Sequence, residues 1–399
     1  MGDLNLCRRM DVVKTKLTWV VMVTLTVLLV AALLAAGAKA ASAAAPATKS
    51  APAASTAPPA KTQALAAIIE AAKKERTVSV SLTAGYDKPQ VVEQLKKAIN
   101  NKYGADLDIK IQATSGMAGM IAKAIMETKT GAEPTYDVIS LSTDYIPRVT
   151  KEGIVETVDW RSLFQPGTPG AAQYDHPQTK AGVIIYGGTI GLMYNPQKVA
   201  ATEVPKKLSD LVDPKWKGRL GMHSYATHWA RFAFILGKKQ TLTTLRTILK
   251  TNKPLLDRYP PLNTRFLAGE IDLVFSVDQY VEENKARGKP TAWQNMDFVE
   301  IQDYQLVVMK GTKRPNAAKL LGVFMASPEG AKFTIEVAKK AHNLYPGNQL
   351  YDEVASAKKD RIPVYDWGAG AYPGMLDFIL SPAYEQWQKE IQLMLDTTS

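Results

Sequence analysis

From residue 76 onward the apolar positions of the chain repeat with two alternating periods. "TVSVSL" (77–82) alternates as a strand does, and "QVVEQLKKAINNKYG" (90–104) carries apolar residues at helical spacing up to Gly104, a helix stop. "LDIKIQA" (107–113) predicts the next strand and "MAGMIAKAIMETKTG" (117–131) the next helix, closed by Gly131. "DVISLS" (137–142) is a third strand, followed by the short helix "IPRVTKEG" (146–153). The series restarts with the strand "GRLGM" (218–222), the helix "WARFAFILGKK" (229–239) and the strand "IDLVFSV" (271–277). Strands alternating with helices in this way predict an α/β fold with a mostly parallel sheet. Two stretches, "DVISLSTDY" (137–145) and "DLVFSVDQY" (272–280), share a first Asp, a central strand and a final Tyr at equal spacing, which points to two lobes built alike.

The first sixty residues follow another pattern. Arg8, Arg9, Lys14 and Lys16 precede the apolar run "LTWVVMVTLTVLLVAALLAAGA" (17–38), and "AKA" (38–40) supplies small residues around a cleavage point, the layout of a secretory signal peptide over 1–40. The run is also about 20 residues long, enough to span a bilayer if it stays uncleaved as an N-terminal anchor. Cys7 lies before the run, so it is not placed to carry the lipid of a lipoprotein. Residues 41–64 are dominated by Ala, Pro, Ser and Thr and read as a linker. A chain cut after residue 40 keeps 44 basic and 36 acidic side chains, a net charge of +8, and no cysteine. Export without disulfides suits that composition, and no block of Lys and Arg marks a nucleic-acid surface.

Candidate chemistry gathers where strands end and helices begin. In open α/β sheets ligands sit outside the carboxyl ends of the strands, against unpaired helix N–H groups. Five such junctions are polar: Thr83 to Tyr86, Thr114 and Ser115, Ser142 to Asp144 with Thr143 between, His223 to Thr227 including Ser224, and Asp278 to Tyr280 through Gln279. Each Ser, Thr or Asp taken singly also serves as a helix cap; the whole set points to a ligand site.

"AGVIIYGGTIGLMYNPQKV" (181–199), "KKLSDLVDPKWKGRLGM" (206–222), "LAGEIDLVFSVDQY" (267–280) and "RPNAAKLLGVFMASPEGAKF" (314–333) together resemble the extracellular solute-binding proteins of bacterial ABC importers, in particular the family that includes ferric-ion-binding proteins. The resemblance runs over about residues 76–341. It implies a two-lobed type II periplasmic binding protein, with each lobe a mostly parallel sheet flanked by helices and with crossover strands as hinges. Lobe 1 then begins at 65–185, lobe 2 covers 186–300, and 301–399 hold the second crossover, the return to lobe 1 and the C-terminal helices. Tyr186 to Met193, with Gly187, Gly188 and Gly191, and "DFVEIQDYQLVVMK" (297–310) are the hinge candidates.

The resemblance implies an extracytoplasmic protein, acting as a monomer, that captures a small solute and passes it to a membrane permease, with no cofactor and no nucleic-acid partner. Ferric binders of this family carry adjacent tyrosines where this chain has Gln279 and Tyr280, and no histidine stands near Tyr86 or Asp87. An organic solute is therefore expected before ferric ion, while Asp144 and Tyr280 remain the metal donors if a cation is bound. Arg231, one turn into its helix, is either a partner for an anionic group or a surface arginine. Asp144 and Asp278 suit an amino group, and a zwitterion would use both kinds of contact. No Walker loop, HExxH, GxSxG or paired CxxC occurs to support an enzyme. An exported sensor or enzyme on the same fold is the other reading.

Overall fold

The computed structural model describes residues 60–114, 116–366 and 374–397. The signal segment, nearly all of the linker and Ser115 lie outside the described residues. The first lobe starts with α1 (Ala60–Glu75), inside the stretch read as linker, and continues with β1 (Thr77–Leu82), α2 (Pro89–Tyr103), β2 (Asp108–Ala113), α3 (Met117–Thr130), β3 (Val138–Ser142), α4 (Ile146–Lys151) and α5 (Trp160–Leu163). β4 (Val183–Tyr194) leads into the second lobe, with β5 (Leu220–His223), α6 (Ala226–Leu236), α7 (Lys238–Asn252), β6 (Leu255–Asp257), α8 (Tyr259–Ala268), β7 (Leu273–Val277), α9 (Gln279–Ala286) and β8 (Ala292–Gln294). β9 (Val299–Val308) returns the chain to the first lobe for α10 (Pro315–Ala326) and α11 (Pro328–Glu336); α12 (Gln349–Lys359), β10 (Val364–Asp366), α13 (Met375–Ile379) and α14 (Pro382–Asp396) complete it.

The local reasons are those the pattern predicts. α2 buries Val91, Leu95 and Ile99 from one stripe and stops at Gly104, whose φ of 60° lets its N–H reach the Asn100 carbonyl. β1 and β3 are buried on both faces or nearly so, because helices cover the parallel part of the sheet from both sides. The strand order is β2-β1-β3-β9-β4-β7-β5-β6, with β10 on β9 and β8 on β4. β1 runs parallel to β2 and β3, and β5 runs parallel to β6 and β7, whereas β4 and β9 are antiparallel to their main neighbours.

The twin stretches occupy equivalent places. β3 pairs with the crossover strand β9, and β7 pairs with the crossover strand β4. Their leading aspartates do the same work: Asp137 holds Arg314 at 3.0 Å and Asp272 holds Arg219 at 2.7 Å, each anchoring a neighbouring segment to the start of its strand. The cores are separate. One cluster joins β1, β3, α1, α2 and α10; another joins β5, β7, α6 and α7. Met375, Phe378, Tyr384, Ile391 and Leu395 of α13 and α14 belong to the second of these, so the C-terminal helices pack on the second lobe after the excursion of α10 and α11 into the first.

α10 lies so close to α5 that a Cβ built on Gly322 would stand 2.5 Å from the Trp160 ring. Gly322→Val should cost about 1–3 kcal/mol through overpacking, measured as a lower urea midpoint. An unchanged midpoint would mean that α10 stands further off.

Candidate functional site

β4 serves two sheets along one strand. Val183 to Thr189 pair with β9, and Ile190 to Tyr194 pair with β7. The switch between partners falls in the glycine-rich run, and its glycines admit protein side chains. A Cβ on Gly187 would lie 2.8 Å from Asp303 Oδ1, one on Gly188 would lie 3.1 Å from Asp278 Oδ1, and one on Gly191 would lie 2.6 Å from the Trp293 ring. Asp278 is tied to the same point by two bonds: its N–H donates to the Thr189 carbonyl and its Oδ1 accepts from the Thr189 N–H, both at 3.1 Å. The start of α9 therefore moves with the hinge strand.

An aromatic stack rises from this hinge. Tyr186 and Tyr304 face each other across the β4–β9 ladder with ring centroids 4.4 Å apart and planes 13° from parallel. The Tyr186 hydroxyl donates to Thr83 Oγ1 at 2.9 Å, fixing the ring to the end of β1. Tyr86 lies behind it at 6.1 Å, fully buried, with its hydroxyl bonded to Thr334. It is a core residue of the first lobe. Tyr304 is half-buried, and the charges of Asp144, Arg231 and Asp278 all act on it.

The ends of β3 and β5 carry further polar groups. Ser142 Oγ donates to Asp144 Oδ1 at 2.5 Å, which orients the half-buried carboxylate. Thr143 faces inward, donating to the Asp303 carbonyl and accepting from Gln305 Nε2, each at 3.1 Å. Arg231 is neither a surface arginine nor an exposed anion partner: it is 1% exposed, its Nε stands 2.5 Å from Glu300 Oε1, and its guanidinium also contacts His228 Nδ1. A buried pair of this kind is costly to break because the survivor is left charged in a dry interior. Desolvation, with the Arg231 charge behind it, pushes His223 down to about 3 and His228 well below its ordinary value, so both imidazoles are neutral. Arg231 still projects positive potential onto Asp144, which links the two lobes electrostatically.

Ser224 and Thr227 are half-buried at the β5–α6 junction, the former with its N–H bonded to the Asp257 carbonyl at 3.0 Å. Gln279 is half-buried and accepts from Lys340 Nζ at 3.5 Å. Tyr280 is buried with Met193, Leu262 and Phe266, and burial pushes its phenol up to about 12. Sequence reasoning missed Tyr304, Tyr225, Glu300 and Lys340. Tyr225 sits inside the "HSYATH" loop and Tyr304 inside the second hinge candidate, so both had a local signal; Lys340 had none. Among the described residues, no group of three or more His, Cys, Asp or Glu is arranged to hold a metal ion, and no helix is long and apolar enough to cross a membrane.

The family model for bacterial extracellular solute-binding proteins matches residues 90–361. Among curated proteins no significant match is found. Similar solved structures include the iron-bound HitA from Pseudomonas aeruginosa, at 18% identity and a TM-score of 0.58, covering 79% of this chain and 99% of that one. A periplasmic thiamin binding protein follows at 14% and 0.60, covering 80% and 96%. The substrate binding protein of an ABC transporter from Agrobacterium tumefaciens stands at 11% and 0.64, covering 80% and 94%. At such identities the likeness is one of fold, that of the type II periplasmic binding proteins.

Burial raises the Asp278 carboxyl from the ordinary 3.8 to about 7, against the pull of the Thr189 and Gln279 N–H groups and of Lys340. Its other charged neighbour, Glu353, is also lifted, by burial and by Asp278 itself. The folded chain thus keeps a proton that the unfolded chain has lost between about pH 4 and 7, and stability falls as pH rises through that window. Asp278→Asn, which preserves the acceptor for Thr189, should flatten part of this slope in urea melts from pH 4.5 to 7.5. An identical slope would show that Asp278 is ionised throughout.

Proposed function

The chain belongs to the bacterial extracellular solute-binding proteins, and from that premise we propose that it is the exported binding component of an ABC importer. In this reading it closes on a small polar or charged organic solute between its lobes and delivers it, as a monomer in the periplasm or its equivalent, to a membrane permease. The observation that carries the reading is the pair of crossover strands. β4 and β9 join the lobes, β4 through a glycine-rich run, and Asp144 of one lobe lies within the field of Arg231 of the other.

Closure needs no chemistry beyond a population shift: a solute that bonds both walls favours the closed form by the contacts it makes only there. Tyr304, Asp144 and Tyr225 are the walls' half-buried polar and aromatic groups, and a stacked ring with a carboxylate beside it suits a flat or cationic portion of an organic solute. Ferric ion is the lesser reading. Gln279 offers an amide where a second phenolate is needed, and Tyr280 holds its proton in an apolar cluster. The matching family is one of extracellular solute-binding proteins.

The test is thermal unfolding of the full chain with thiamine, polyamines, amino acids, sugar phosphates and ferric ion with carbonate, followed by small-angle scattering with any hit. A solute at about 100 times its dissociation constant adds about 2.7 kcal/mol of stability, and closure should lower the radius of gyration. Tyr304→Ala is expected to weaken that binding by about 2 kcal/mol or more. Turnover of the bound solute, or a shift with ferric ion alone, would replace this reading.

A further inference from the structure

His228 stands in the first turn of α6, three residues before Arg231, and the Arg231 guanidinium contacts its Nδ1. A guanidinium has donors only and keeps its proton inside a protein, so the contact has one sense: Arg231 donates and Nδ1 accepts. A neutral imidazole with an accepting Nδ1 carries its hydrogen on Nε2. Burial keeps the ring neutral, helped by the Arg231 charge and by His223 beside it. The tautomer is thus set from behind, because the buried Glu300 holds Arg231 and Arg231 holds the ring.

The direction of the N–H follows. Nδ1 turns toward the sealed Arg231–Glu300 pair, and the Nε2–H bond of an imidazole diverges widely from its Nδ1 lone pair, so it points away from that pair. The ring meets Tyr225 edge to face at 5.9 Å and 78°, with Tyr259 also at 5.9 Å and His223 at 5.2 Å. Tyr225 and Tyr259 are half-buried, and Tyr225 is one of the groups against which the solute is seated above. His228 itself is 6% exposed, and among the described residues its Nε2 has no hydrogen-bond partner. The nearest acceptors are not engaged by it: both ring nitrogens of His223 and the Tyr259 hydroxyl are themselves without partners. A donor almost withdrawn from water and left without an acceptor is costly, and a ligand that supplies the acceptor removes that cost.

We propose that His228 is a solute-binding residue whose Nε2–H donates to an acceptor atom of the solute, beside the portion that lies on Tyr304 and Tyr225; this rests on the solute-binding reading above and restricts the solute's chemistry. The cargo then carries a carbonyl, carboxylate or phosphate oxygen, or an unprotonated ring nitrogen. A fully protonated polyamine has donors only, leaves the N–H unanswered and is not the cargo. Arg231 and Glu300 act through the ring, as positioning residues. A site with a buried polar group of this kind discriminates sharply against analogues that lack its partner.

Nitrogen-15 spectra of the full chain give the first readout. His228 should show the Nε2–H tautomer unchanged from about pH 5.5 to 8, a range in which an unperturbed imidazole titrates. Calorimetric titration with thiamine, glucose 6-phosphate, glutamate, putrescine and spermidine then finds a ligand, and the Nε2–H resonance should move when it is added. His228→Gln keeps an N–H donor near the place of Nε2 and should hold affinity within about threefold, whereas His228→Asn keeps an acceptor for Arg231 but no donor at Nε2 and should lose about tenfold. The spectra and the titrations on the unaltered chain stand even if a variant fails to fold. A charged ring, the Nδ1–H tautomer, a resonance unmoved by the ligand, or variants that bind alike overturns the proposal. Binding confined to putrescine and spermidine also overturns it and leaves solute capture standing, whereas no binding with any of these solutes sinks both.

Discussion

The double duty of β4 is the constraint on which the rest of the molecule hangs. Twelve consecutive residues must satisfy the backbone of one sheet through β9 and of another through β7. At three positions around the changeover, side chains from other segments approach so closely that a Cβ would clash or crowd them. Gly187, Gly188 and Gly191 meet that demand by admitting Asp303, Asp278 and Trp293. Their role is close approach rather than unusual dihedrals, since none has a left-handed φ.

From that changeover the site follows. The two bonds between Asp278 and Thr189 fix the start of α9 to the hinge strand, and the stack of Tyr186 on Tyr304 fixes the other crossover strand to the end of β1 through Thr83. Groups from both lobes are therefore referred to one rigid reference. A small rotation about β4 and β9 changes the distance between the walls and leaves each wall intact, which is what capture by closure needs.

Charge is distributed to suit. The buried Arg231 of the second lobe is paired with Glu300, and burial, with the Arg231 charge beside it, keeps His223 and His228 neutral. Asp278 and Lys340 are likewise buried, and desolvation moves both toward their neutral forms.

By itself, the sequence determined the elements and much of their order. The strands at 77–82, 107–113, 137–142 and 271–277 fall within a residue or two of their observed bounds, because period, capping and glycine stops act over a few neighbours. It also placed the polar strand ends, and it paired "DVISLSTDY" with "DLVFSVDQY", which do take equivalent positions beside the two crossovers. Tertiary structure alone decided which polar residue turns inward. Tyr86 and Tyr280 read like site residues and are packed into cores, Arg231 meets Glu300 across 69 residues, and Lys340 meets Gln279 across 61. Burial and pairing depend on which distant segment arrives alongside, and no local period encodes the arrival.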